Sequence, residues 1–208
     1  MLKVLSVWAI ILFLNFVGIA FFIPSDLVTD NAKAEIQSTK EFLGDNSYSY
    51  LNNQTYVWYK KIFVDTGIQD KSFTLFIPTE EQKDRSGALR NLGSPLFKWV
   101  DDKLKMYWNM VYLGMLRINY LFFFFPILIP FVVAATVDGF YTRRIKLITF
   151  QLTSATRYGY AMHALIFLTF VPLFFFLYPF NLNPFFVPLW YILLGLSARL
   201  LASNLHKI

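Results

Sequence analysis

The chain has 208 residues, 56% of them hydrophobic, 20% aromatic and only 15% charged, with 24 Phe and a formal net charge of +6. So apolar a composition excludes an ordinary soluble enzyme and points to a membrane protein. The sequence has no Cys, which removes disulfides, thiolate metal sites and a cysteine nucleophile, and its two His (His163 and His206) are too few for a clustered imidazole site.

The apolar residues fall in four blocks, each near the roughly 20 residues that a helix needs to cross the hydrocarbon. The first runs from Val4 to Ile23 without a charge and is closed by Pro24, Ser25 and Asp26. Lys3 and the small residues of Gly18-Ile19-Ala20 also fit a secretory signal. The apolar run continues through Phe21, Phe22 and Ile23, however, so residues 1–23 are expected to be a retained first transmembrane helix.

Residues 24–107 read as a small, mainly helical extracytoplasmic region. Asp30 caps a short helix through Ala32, Ala34, Ile36 and Leu43, which Gly44 stops. Residues 45–55 (DNSYSYLNNQT) read as loop, and within them Asn53-Gln54-Thr55 fits the glycosylation sequon, a pattern without meaning in a bacterial protein. The aromatic stretch Tyr56 to Val64 is ambiguous in type and ends in a turn at Asp65-Thr66-Gly67, and Phe73 to Ile77 reads as a short strand or a membrane-surface segment. Thr79-Glu80-Glu81-Gln82 matches a capping box, and Ser94-Pro95 is a better helix start.

From there Phe97, Val100, Leu104, Trp108, Val111 and Met115 recur on one helical face. This amphipathic helix is expected to run unbroken into the second block, Ile118 to Val137, so that residues 108–140 form an amphipathic lead-in and transmembrane helix 2. Arg117 would then stand at the membrane boundary, as an interfacial anchor or as a lever between the outer region and the membrane. Residues 141–157 form a basic loop, and residues 158–208 a transmembrane hairpin, helices 3 and 4, folded at Pro179 to Pro184. Pro126, Pro130 and Pro172 inside these spans are read as shaping helix packing.

Charge sets the expected topology. Residues 24–107 hold eleven Lys/Arg against twelve Asp/Glu, whereas the rest of the chain holds eight basic residues against one acid, Asp138. Arg143, Arg144, Lys146 and Arg157 lie in the short stretch between blocks two and three, and the 179–184 turn has no basic residue. Positive short loops stay cytoplasmic. The expectation is four spans, with both termini cytoplasmic and residues 24–107 outside.

No span carries a central Asp, Glu or Lys, and the chain has no phosphate-binding glycine loop, no His-Glu-x-x-His and no Gly-x-Ser-x-Gly. No catalytic residue, metal or cofactor is therefore expected. The candidates for partner or lipid contact are Arg117, Asp138, Arg143, Arg144, Lys146, Arg157, Tyr160 and His163, with Asp138 free to pair with Arg143, Arg144 or a charged His163. The basic cluster sets topology, binds anionic lipid or meets an acidic partner surface. Direct nucleic-acid binding is not expected, since the loop has few aromatic or amide readers.

The order Arg117, proline-containing span, Val137-Asp138-Gly139, Arg143-Arg144, then Tyr160-Ala161-Met162-His163-Ala164 resembles a family of inner-membrane proteins encoded by integrating conjugative elements and conjugative plasmids. That family's signature resembles Val-Asp-Gly-Leu-x-x-Arg followed by a polar run and Tyr-His-x-Ala. The aspartate, glycine and first arginine match, while His163 is offset. The resemblance covers about residues 95–205 and extends by layout to Thr66-Gly67-Ile68. It implies a non-catalytic accessory or scaffold subunit of a type IV secretion apparatus for conjugative DNA transfer, seated in the bacterial inner membrane beside the coupling-protein ATPase, with residues 24–107 periplasmic and homo-oligomers possible. Two rival readings are a small oligomeric channel or transporter, for which only Asn119, Thr136, Thr169 and Ser197 offer polar lining, and a membrane chaperone or exclusion factor.

Overall fold

The computed structural model describes residues 10, 14, 18–19, 22–77, 87–176 and 178–205, with residues 87–95 and 175–176 described by backbone alone. The described elements are all helical: α1 (Ser25–Leu43), α2 (Asp45–Tyr59) continued by a π-helical turn (Lys60–Val64), α3 (Ile68–Phe76), α4 (Gly87–Ile148), α5 (Ala155–Phe176) and α6 (Phe186–Ser203). The all-helical expectation holds, with no strand among the described residues. The capping box at Thr79 to Gln82 and most of the first apolar block lie outside the described residues.

The chain divides into two compact units. The first holds residues up to Arg117 together with Phe176–Leu182. Its helices α1 and α2 are joined at Gly44 (φ +81°), whose N–H donates to the Lys40 carbonyl (2.9 Å). Helices α2 and α3 are joined at Gly67 (φ +69°), whose N–H donates to the Val64 carbonyl (2.9 Å). Both glycines have a positive φ, and Gly67 is left-handed, conformations that an L side chain resists. A Cβ at Gly67 would touch nothing within 4 Å. Gly67→Ala is therefore expected to cost only backbone strain, about 1–2 kcal/mol, read as a lowered thermal midpoint with the helix content unchanged.

Four sequence expectations change in this unit. The helix expected to be capped by Asp30 begins at Ser25, with Pro24 at its N-cap and Asp30 inside it. Residues 45–55 are helix, because Leu51, Thr55 and Tyr59 recur every four residues and are all buried; tertiary burial outweighs the turn-rich composition. Thr55 of the sequon is fully buried, its hydroxyl donating to the Leu51 carbonyl (2.8 Å). Phe73 to Phe76 are helical as part of α3, with no strand partner offered. Ser94-Pro95 lies inside α4, which begins at Gly87.

The packing of α2, the π turn, α3 and α4 centres on aromatic rings. Tyr59 meets Phe63, Trp108 and Tyr112 at centroid distances of 5.6, 6.3 and 5.4 Å, and Phe63 meets Trp108 at 5.4 Å. These tilted and edge-to-face pairs contribute beyond the area they bury. Each polar tip finds a partner: Trp108 Nε1 donates to Ser72 Oγ (2.9 Å), Tyr112 OH to Asn52 Oδ1 (2.8 Å) and Tyr59 OH to Gln69 Oε1 (3.2 Å). Burial pushes the Tyr59 phenol up from its ordinary pKa, so it stays a neutral donor. A second cluster packs Ile19, Val28, Met106 and Met110, with Lys103 Nζ donating to the Ile23 carbonyl (2.5 Å).

The second unit holds Ile118–Phe175 and Asn183–Ile208. Tyr120 OH donates to the Pro184 carbonyl (3.2 Å), Tyr191 OH to the Leu121 carbonyl (3.1 Å) and Trp190 Nε1 to the Leu168 carbonyl (2.9 Å). These bonds run between elements, and in a low-dielectric setting they fix register as well as energy. Gly139 lets α4 approach α6 closely: a Cβ there would lie 2.5 Å from the Arg199 carbonyl oxygen and 2.8 Å from Ala202 Cβ. Helix α4 ends in a Schellman-type turn, with Phe150 at φ +52° and Gln151 N–H donating to the Lys146 carbonyl (2.9 Å).

Among the described residues two helices, not four, are long and apolar enough to cross a membrane: α4 over Leu96–Ile148 and α6. The third expected span, from about Tyr158 to Tyr178, includes side chains outside the described residues. The span expected at residues 1–23 lies mostly outside the described residues. The apolar window of α4 is only 11% buried within the protein, which separates it from the core helix of a soluble fold. Phe122, Phe125, Ile127, Phe131 and Val133 stand exposed along it.

Candidate functional site

Arg117 is buried. It is 6% exposed, and it closes a buried seam on α4 formed by Met106, Met110 and Leu113 at spacings of four, three and four. Of the expected stripe, Phe97, Val100, Leu104, Trp108 and Val111 are half-buried and Met115 is buried; the deeper face is rotated from it and includes the arginine. The Arg117 side chain therefore meets a buried carboxylate rather than water or phosphate groups.

Its partner is Glu35 of α1, 5% exposed, on the face that also buries Val28 and Thr39. Arg117 Nε donates to Glu35 Oε1 (2.7 Å) and Nη2 to Oε2 (2.6 Å), a bidentate pair. The guanidinium also donates to two carbonyls of the segment after α5, Tyr178 (2.7 Å) and Phe180 (3.0 Å), and lies 5.9 Å from the centroid of the Tyr178 ring. Glu35 Oε2 in turn accepts from the Leu182 N–H (3.0 Å). One ion pair thus holds three stretches of chain and supplies hydrogen bonds to a turn whose backbone would otherwise lack them. Buried charges of this kind are tolerated only when paired and hydrogen-bonded. Glu35 escaped the sequence reading. Its signal was a lone acid seven residues after Val28 and four before Thr39, in an otherwise buried register.

The remaining candidates belong to the second unit. Arg143, Arg144 and Lys146 lie on the last turns of α4, which stays helical to Ile148, so the expected loop from 141 shrinks to Thr149–Ser154. The helix persists because nothing breaks it before Phe150 turns left-handed. Asp138 pairs with none of Arg143, Arg144 or His163. It accepts from Arg199 Nε of α6 at 2.5 Å, both side chains about half exposed. Arg199 is the only cation within the fourth apolar block, and that isolation was the available signal.

Lys146 Nζ donates to the Ser203 carbonyl and to Asn204 Oδ1, both at 3.2 Å. Asn204, 1% exposed, also accepts from the Ser154 N–H (3.3 Å) and donates to the Leu200 carbonyl (2.9 Å), tying the α4–α5 connection to the end of α6. Arg143 Nε is buried without a hydrogen-bond partner, and Arg144 is exposed. Arg157 and Tyr160 are exposed on α5, and His163 Nδ1 lies 2.7 Å from the Gly159 carbonyl of its own helix. The structure therefore gathers Asp138, Lys146, Arg157 and Arg199 near one end of the second unit. Arg117 is placed in the first unit, and Tyr160 and His163 are not among the residues that line the cavity with the cluster.

Among the described residues, these features define a small helical protein with two helices long and apolar enough to cross a membrane, a buried ion pair, and a cationic end on its longest helix. The family model for IncC plasmid conjugative DNA transfer protein DtrJ-like matches residues 26–206, so the chain belongs to the DtrJ-like family. No curated protein and no solved structure matches it.

Proposed function

We propose that the chain is a non-catalytic accessory or scaffold subunit of a conjugative DNA-transfer apparatus, seated in the bacterial inner membrane and associated with the coupling-protein ATPase. The observation that carries the reading is membership of a conjugative DNA-transfer family over residues 26–206. The exposed apolar face of α4 supports it, because such a face is covered by lipid or by the helices of another membrane subunit. The cationic end of the second unit supports a cytoplasmic placement under the positive-inside rule, with residues 24–107 periplasmic.

Deleting the gene in a donor cell is expected to reduce transfer frequency by orders of magnitude, with relaxase nicking intact and complementation restoring transfer. Unchanged transfer would count against the reading, and unchanged transfer with altered exclusion of incoming elements would favour an exclusion factor instead. For topology, a reporter fused near residue 60 is expected to be active only when exported, and one near residue 150 only in the cytoplasm. The opposite pattern would reverse the orientation. No observation favours a channel: the Thr136 and Thr169 hydroxyls are taken up by carbonyls of their own helix (both 2.8 Å), and Asn119 and Ser197 are buried.

A further inference from the structure

Three cations from three helices line one open cavity of about 380 Å³ in the second unit: Lys146 of α4, Arg157 of α5 and Arg199 of α6. Leu196 and Leu200 form an apolar wall beside them, and Asn204 a polar one. Two of the cations are set in place by the fold, Arg199 by Asp138 and Lys146 by Ser203 and Asn204. Each keeps further N–H groups beyond those bonds. The Arg157 guanidinium makes no hydrogen bond or ion pair among the described residues, only its backbone N–H being engaged, by Ser154 Oγ. Asp138 is the sole acid between residues 108 and 208, so the cavity retains a positive excess that nothing in this unit neutralises.

Like charges brought together from three elements oppose folding unless an anion shares them. The shape narrows the anion. The cationic donors fit the oxygens of a phosphodiester, and Leu196 and Leu200 fit a hydrocarbon chain. Basic pockets between helices at the cytoplasmic side of a membrane bind phospholipid headgroups in this way. We infer that the cavity holds the phosphate-bearing headgroup of an anionic phospholipid, with an acyl chain along Leu196 and Leu200. The inference rests on the membrane reading proposed above.

The test uses the full chain, purified in mild detergent and mixed with phosphatidylglycerol or phosphatidylcholine, with retained lipid read by native mass spectrometry. Wild type is expected to retain phosphatidylglycerol in preference to phosphatidylcholine. Arg157→Gln should lower that retention about fivefold, the contribution of one basic residue near an anionic surface. Arg157→Lys should preserve it, and Lys71→Gln, on the exposed face of α3, should leave it unchanged. Equal retention of both lipids, or of phosphatidylglycerol by wild type and Arg157→Gln, would overturn the inference. Displacement of the lipid by millimolar inorganic phosphate would assign the cavity to a free anion and likewise overturn it. Release of the chain from membranes by alkaline extraction would sink the membrane reading itself; resistance to extraction without lipid preference would sink this inference alone.

Discussion

Arg117→Ala is expected to destabilise the full chain in detergent by about 3–5 kcal/mol, the cost of stranding one member of a buried ion pair. The size follows from the site: Glu35 would keep the Leu182 N–H but lose both guanidinium bonds, and the Tyr178 and Phe180 carbonyls would lose a donor. Thermal unfolding followed by tryptophan fluorescence reads the loss. The double replacement Glu35→Leu with Arg117→Met is expected to recover most of it, because apolar groups of similar volume replace a buried pair at little cost. The exposed pair Lys33–Asp30 supplies the control, and Asp30→Asn should change nothing measurable. A loss for Arg117→Ala no larger than that control would mean that the pair does not hold the first unit together.

Gly139→Ala carries the second large effect. The added methyl would meet the Arg199 carbonyl oxygen at 2.5 Å, a backbone atom that cannot rotate away, and Ala202 Cβ at 2.8 Å. Helices α4 and α6 would have to part, at about 1–3 kcal/mol by the usual cost of overpacking. The neighbouring Asp138–Arg199 pair and the Lys146 bonds to Ser203 and Asn204 would loosen with them. Gly195→Ala is the informative comparison, since its Cβ would press only on the edge of the Phe131 ring at 3.0 Å, and a side chain can shift. Gly139→Ala should therefore lower the thermal midpoint more than Gly195→Ala. The reverse order would contradict the close approach of α4 to α6.

Local signals were legible in the sequence and distant pairings were not. Gly44 stops a helix because its backbone reaches a conformation that other residues resist, and the Pro179 to Pro184 turn lies between α5 and α6 where its prolines and asparagines place it. The unbroken run of the amphipathic helix into the second apolar block followed from its periodicity. Residues 45–55 misled because Asn, Ser and Asp favour turns locally, while the burial of Leu51 and Tyr59 against other helices decided the outcome. Arg117 shows the limit from another side. An arginine at the edge of an apolar block fits a membrane interface, and only Glu35, 82 residues away, makes it a core residue. Asp138 and Arg199 illustrate the same limit: a lone acid and a lone base in apolar stretches could have been matched by scarcity, whereas near neighbours in the sequence drew the assignment. The cationic cavity needed three helices in place before its residues could be seen to converge.

The central claim, that this member of the DtrJ-like family works as a membrane subunit beside the coupling-protein ATPase, is tested most directly by purification from donor-cell membranes. The tagged full chain is extracted in mild detergent with the whole transfer system expressed. The account predicts that the coupling protein co-elutes with it, and that the complex requires the coupling protein's transmembrane helices. Recovery of the chain only as a free monomer, with the coupling protein present in the extract, would contradict it.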